Sequence, residues 1–137
     1  ENDIGGQFCN LTTVIVRSDD TLESLKKKVR AATIMGTIQS CLTDFPELEE
    51  LSSGSWKKNT EEERLLGVSI TGQQDAPHLM TAENLKELRK VAGATNEEYA
   101  ARLKLPKSTS ITTTKPEGTA SIISSSDGLR FGSFCSI

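Results

Sequence analysis

The chain has 137 residues, a formal net charge of -3 and a pI near 5.2, with 35% hydrophobic and 4% aromatic residues. That length accommodates one domain, but so few apolar side chains make a thin core, as expected of a single partial domain (residues 1–137) of something larger. Basic residues interleave with acidic ones, which excludes a nucleic-acid-wrapping surface; no apolar run is long enough to cross a bilayer, and Cys9, Cys41 and Cys135 are too widely spaced for a disulfide scaffold or a zinc site, so a cytoplasmic protein is expected.

Leu11 to Arg17 (LTTVIVR) is rich in β-branched residues and predicts a buried strand, stopped by Ser18, Asp19 and Asp20. Asp20 and Glu23 have capping-box spacing, and Leu22, Leu25, Val29, Ala32, Met35 and Ile38 recur every three or four residues, predicting a long amphipathic helix to about Leu42. Glu47 to Ser55, acidic and then small and polar, reads as a surface loop or a frayed helix end. Thr60 with Glu63 predicts a short capped helical turn before a second strand, Leu65 to Ile70, closed by Gly72. Thr81 can cap a second long helix through Leu85, Leu88, Val91, Ala92, Tyr99 and Leu103, with Gly93 and a Thr95 to Glu98 capping pattern allowing a kink. Thr109 to Thr114 predicts a third, threonine-rich strand. Strands separated by helices long enough to cross back predict an α/β fold with parallel strands.

Lys115 to Ser121 (KPEGTAS) follows that third strand and predicts a helix start, where backbone N–H groups and the Thr119 and Ser121 hydroxyls can hold a phosphate. Taken alone, an ordinary strand-to-helix turn explains this segment better, since any such turn can contain Gly, Thr and Ser. His78 sits beside Pro77 in a loop, as surface histidines do, and Cys41 reads as a packing residue. The acids at Asp19, Asp20 and Glu61 to Glu63 read as helix-start charges, and the short run Trp56, Lys57, Lys58 is followed at once by acids.

Four stretches taken in order carry more information: FCNLT (Phe8 to Thr12), GTIQS followed by LTDF (Gly36 to Phe45), WKKNTEEERLLGVSITG (Trp56 to Gly72) and TTKPEGTA (Thr113 to Ala120). Together they resemble the catalytic barrel of adenosylcobalamin-dependent ribonucleotide reductases over roughly Gln7 to Ser126. The resemblance implies a segment of a ten-stranded α/β barrel, parallel strands joined by crossover helices, acting on ribonucleotides. It implies that Cys9, ahead of Asn10 and Leu11, is one of two thiols that reduce the substrate and become a disulfide, its partner lying outside this chain. It also implies that Lys115, Pro116, Glu117, Gly118, Thr119, Ala120 and Ser121 form the substrate-phosphate turn. Glu117 stands where the family usually has serine, and a carboxylate facing a phosphate repels it unless the side chain points away.

In this family a cobalamin-derived radical makes a cysteine thiyl, and a glutamate on the same Asn-Pro-Cys-x-Glu loop handles the 3'-hydroxyl proton. Glu1 lies close to where that glutamate falls, but the loop's cysteine is not in the sequence, so this chain alone is not expected to turn over. The segment Asp127 to Phe134 also departs from the family's continuation, and Cys135 reads as a bystander thiol. The implied partners are the remainder of the reductase, a ribonucleotide and a thioredoxin-like reductant, with adenosylcobalamin bound mostly outside this chain. The competing reading is a non-catalytic α/β module that holds a phosphorylated ligand or another polypeptide. The first reading requires Cys9 and Gly118 to be two walls of one pocket.

Overall fold

A computed structural model describes residues 6–48 and 55–115. Strand β1 (Asn10–Ile15) and strand β2 (Leu66–Thr71) pair in parallel, from Asn10 opposite Leu66 to Ile15 opposite Thr71. Helix α1 (Leu22–Gln39) and the shorter α2 (Ser55–Glu63) lie between them in sequence. After β2, two short 3-10 turns (Gln73–Asp75 and Pro77–Leu79) lead into α3 (Ala82–Leu103). Gly72 starts that passage at φ 75°, and an added Cβ there would stand 2.5 Å from the Val16 carbonyl oxygen, so glycine is required. Helix α1 packs on both strands and on α3.

The helices pack on one face of the sheet, where Val14, Val16 and Val68 meet Leu25, Val29, Leu88 and Ala92. On the alternate face Leu11 and Ile15 of β1 are exposed, while Gly67, Ser69 and Thr71 of β2 are buried. The β-branched run therefore buries only every second side chain. In α1 the apolar period also drifts: Met35 is 65% exposed, while Thr33, Gly36 and Thr37 are buried. Gly36 lies against Leu66 and Thr12 of the sheet and Thr37 meets Asn96 of α3, and each threonine satisfies its hydroxyl on the carbonyl one turn back (Thr33 to Val29, Thr37 to Thr33, Thr95 to Val91). Asn96, buried among them, donates from Nδ2 to Thr37 Oγ1 and Ser108 Oγ at 3.1 Å each, and its Oδ1 accepts the Ser108 N–H at 2.9 Å. One side chain thus ties α1, α3 and the following loop together.

Local signals shift by a residue or more. The α1 cap is Thr21, in a reciprocal box with Ser24, not Asp20 with Glu23. Asp20 instead clamps strand to helix: its carboxylate accepts from Arg17 N–H at 2.8 Å, Ser24 Oγ at 2.6 Å and Lys28 Nζ at 2.6 Å. Lys28 also donates to the Ile15 carbonyl. Thr60 falls in the last turn of α2, whose end is set by Arg64: its backbone is left-handed (φ 45°), and its guanidinium donates to the Ser40 carbonyl beyond α1 at 2.6 Å. Helix α3 runs through Gly93 as one segment, because Thr95 bonds inside the helix and does not start a new one.

The expected segment of a ten-stranded barrel is not what forms. Among the described residues the sheet has two parallel strands, and the threonine-rich stretch joins it only through a bridge between Val68 and Thr112. The reason lies in the hydrogen bonds. Leu66 and Val68, two residues apart, donate to the carbonyls of Ser110 and Ile111, which are adjacent, so a regular ladder cannot propagate. The chain is further held across the end of β2 by Thr109 N–H to Glu63 O. Two strands and one bridge do not curve into a closed wall.

Candidate functional site

The sheet face opposite the helices carries Leu11 and Ile15, exposed on β1, with Cys9 just ahead of them and the buried Gly67 beside Leu11 on β2. A Cβ built on Gly67 would lie 3.1 Å from Cys9 Sγ and 3.1 Å from Thr113 Cγ2, and would collide with Leu11 Cδ2. The thiol, the leucine and the threonine methyl therefore meet over a strand residue that has no side chain. Cys9 is a free, exposed cysteine, yet partial burial pushes its thiol above the usual value. At neutral pH it stays protonated. Such a thiol is a slow nucleophile and a poor metal ligand, but it can surrender its hydrogen and electrons to a bound oxidant.

The segment leading to Cys9 is anchored by rings and hydrogen bonds. Phe8 packs at 4.7 Å from Phe45 and 5.1 Å from Trp56, ring centre to ring centre, and Gly6 lies against the Trp56 indole, where no larger residue fits. Gln7 donates to Glu63 at 3.1 Å, and Asn10 donates to the Leu65 carbonyl at 3.0 Å. These contacts fix the thiol on the sheet from β1, α2 and the start of β2.

Lys115 is the last described residue of the expected phosphate turn. It follows Thr113 by two residues, roughly 7 Å of extended chain. Pro116, Glu117, Gly118, Thr119, Ala120 and Ser121 lie outside the described residues, as do Glu1 and Cys135. The structure therefore brings Cys9 near the bridged stretch that runs into Lys115. The convergence of Cys9 and Gly118 concerns a residue beyond the described chain.

Other singled-out residues stand apart from this face. Cys41, just past the end of α1, is exposed and points its sulfur at the Thr37 carbonyl, 3.9 Å away. His78 is exposed in the second 3-10 turn. A cavity of about 310 Å³ opens on the helix side of β2, lined by Val29, Val68, Leu85, Leu88, Arg89 and Thr112 among others. It is far too small for a corrinoid. No group of three or more metal-ligating side chains occurs among the described residues, and no described helix is long and apolar enough to cross a membrane.

The residues that sequence reasoning missed are Gly67 and Arg64. A glycine inside a strand pattern marks a close approach of another group, so the LLGVSI segment already carried the first signal. Nothing in the local sequence marks Arg64, whose partner is 24 residues away. Compared with protein-family models, curated proteins and solved structures, the chain matches none.

Proposed function

We propose that this chain contributes a redox thiol, Cys9, and a phosphate-holding turn starting at Lys115 to the reduction of ribonucleotides. The observation that carries the reading is the position of Cys9: an exposed thiol at the start of β1 that converges over Gly67 with Thr113, two residues before Lys115. One small molecule can touch both. The four sequence stretches supply the substrate class. In the reaction, Cys9 and a second thiol from outside the described residues lose two hydrogens to become a disulfide; the ribose gives up its 2'-hydroxyl as water and gains hydrogen in its place.

Differential alkylation tests this reading. Cys9 and Cys41 are both exposed, so each reacts with iodoacetamide, and peptide mass spectrometry resolves the two rates. Saturating ribonucleoside diphosphate or triphosphate is expected to slow Cys9 several-fold and leave Cys41 unchanged. Replacing Lys115 with Ala is expected to weaken the protection. Equal rates at Cys9 with and without nucleotide contradict the proposal.

A non-catalytic module holding a phosphorylated ligand is the second reading. The phosphate turn serves it equally well, and the exposed thiol argues for the first. A chain in which Cys9→Ser binds nucleotide unchanged, and in which bound nucleotide leaves the wild-type thiol as reactive as before, favours the module.

A further inference from the structure

We propose that Gly67 is a positioning residue for the Cys9 thiol. The inference rests on the reading of Cys9 as the reacting group. Gly67 is buried in the middle of β2, opposite Leu11 in register, and its lack of a side chain is what lets three neighbours close over it. Leu11 Cδ2 occupies the place where a Cβ would stand, and Cys9 Sγ and Thr113 Cγ2 press on the same point from either side at 3.1 Å. Few real Cβ atoms tolerate contacts that short, so any other residue at 67 must push these groups away.

The three neighbours do not yield equally. Thr113 belongs to a stretch pinned by backbone bonds on both sides, Val68 N–H to Ile111 O and Thr113 N–H to Val68 O. Leu11 is on β1, locked to β2 by the parallel ladder, although its side-chain end can swing. Cys9 precedes the strand and its thiol is already at the rim. Added bulk at position 67 therefore shifts the sulfur outward by a few tenths of an ångström, loosening its packing on the sheet. Gly67 in this way holds the thiol flat against the sheet, at one depth and partly dehydrated, so that a substrate lying on the face meets it from a fixed direction.

The test is the pH–rate profile of Cys9 alkylation in the full chain, with Cys41 as the internal standard. In Gly67→Ala the Cys9 profile is expected to move to lower pH, and the rate near neutrality to rise roughly twofold or more as the packing of the sulfur loosens. Cys41 should keep its profile. Because the Ala methyl also meets Leu11, the pair Leu11→Ala/Gly67→Ala relieves that collision and secures a folded variant, verified by circular dichroism; it should show the same shift. Leu11→Ala alone should not shift the profile to the same extent. A folded Gly67→Ala or double variant with an unchanged Cys9 profile overturns the inference.

The outcome is independent of nucleotide. If the profile shifts but no ribonucleotide shields Cys9, the role of Gly67 stands and the functional reading falls. If nucleotides shield Cys9 but Gly67→Ala changes nothing, the reverse holds.

Discussion

Replacing Asn96 with Ala tests how much of the fold rests on one buried amide. The side chain is 1% exposed and makes three hydrogen bonds, to Thr37 Oγ1, Ser108 Oγ and the Ser108 N–H. Thr37 keeps its bond to the Thr33 carbonyl, so its hydroxyl survives the change. Ser108 does not fare so well: its buried backbone N–H is left without an acceptor, which costs about 1–3 kcal/mol. The space left by the amide adds about 1 kcal/mol, and the better helix propensity of Ala returns roughly 0.5 kcal/mol. The net loss is about 1.5–3.5 kcal/mol, a fall in Tm on the order of 10 °C for a chain of this size. Urea denaturation with an unchanged m-value and a lowered midpoint is the expected result. Asn96→Asp keeps the acceptor for Ser108 N–H but turns its other oxygen toward Thr37 Oγ1, so its stability should recover as the pH is lowered and the carboxylate is protonated. A loss below about 1 kcal/mol in Asn96→Ala would refute the view that this amide joins the two helices and the loop.

Three further substitutions probe the scaffold of the site. For Asp20, dehydration raises the carboxyl pKa, but the bonds from Lys28, Ser24 and Arg17 N–H and the charge of Lys28 outweigh it, leaving the group below its ordinary value. Its contribution is therefore complete at neutral pH and lost as the pH falls below about 4. Asp20→Asn should cost about 1–2 kcal/mol at pH 7, with the difference from wild type narrowing in acid melts. Gly72→Ala should destabilise by about 1–3 kcal/mol, because it forces a side chain into a left-handed position against the Val16 carbonyl. Gly93→Ala, in open space within α3, should stabilise by roughly 0.5–1 kcal/mol, and the opposite signs of the two changes are read in parallel melts.

Much of the local structure was legible because it is written in period and punctuation. The β-branched run LTTVIVR, the three-to-four spacing after Leu22, and the cap at Thr81 correspond to β1, α1 and α3 respectively. What failed was the use of local signals for tertiary questions. The capping-box spacing at Thr60 marks a helix end because Arg64 is anchored on Ser40, a contact made only after folding. Met35 and Ile38 are exposed because the α1–α3 interface selects small and hydroxylated residues over large apolar ones. The threonine-rich stretch has the composition of a strand, yet the adjacent bonds to Ser110 and Ile111 limit it to a bridge, and with it the barrel expectation fails. Of the candidate site, Cys9 could be picked out by its Asn-Leu context, and Gly67 by its place inside a strand pattern, whereas which groups close over that glycine became visible only once the strands were paired.

The central claim is that the Cys9 sulfur faces the ribose of a nucleotide held toward Lys115. A ribonucleoside diphosphate bearing a chloroacetyl group at the 2'-position tests it directly, since covalent capture requires sulfur and ribose to meet. Mass spectrometry should find the label on Cys9, with little on Cys41 and with competition by unmodified ribonucleoside diphosphate. Equal labelling of the two cysteines, or labelling of Cys9 that the unmodified nucleotide does not suppress, would contradict it.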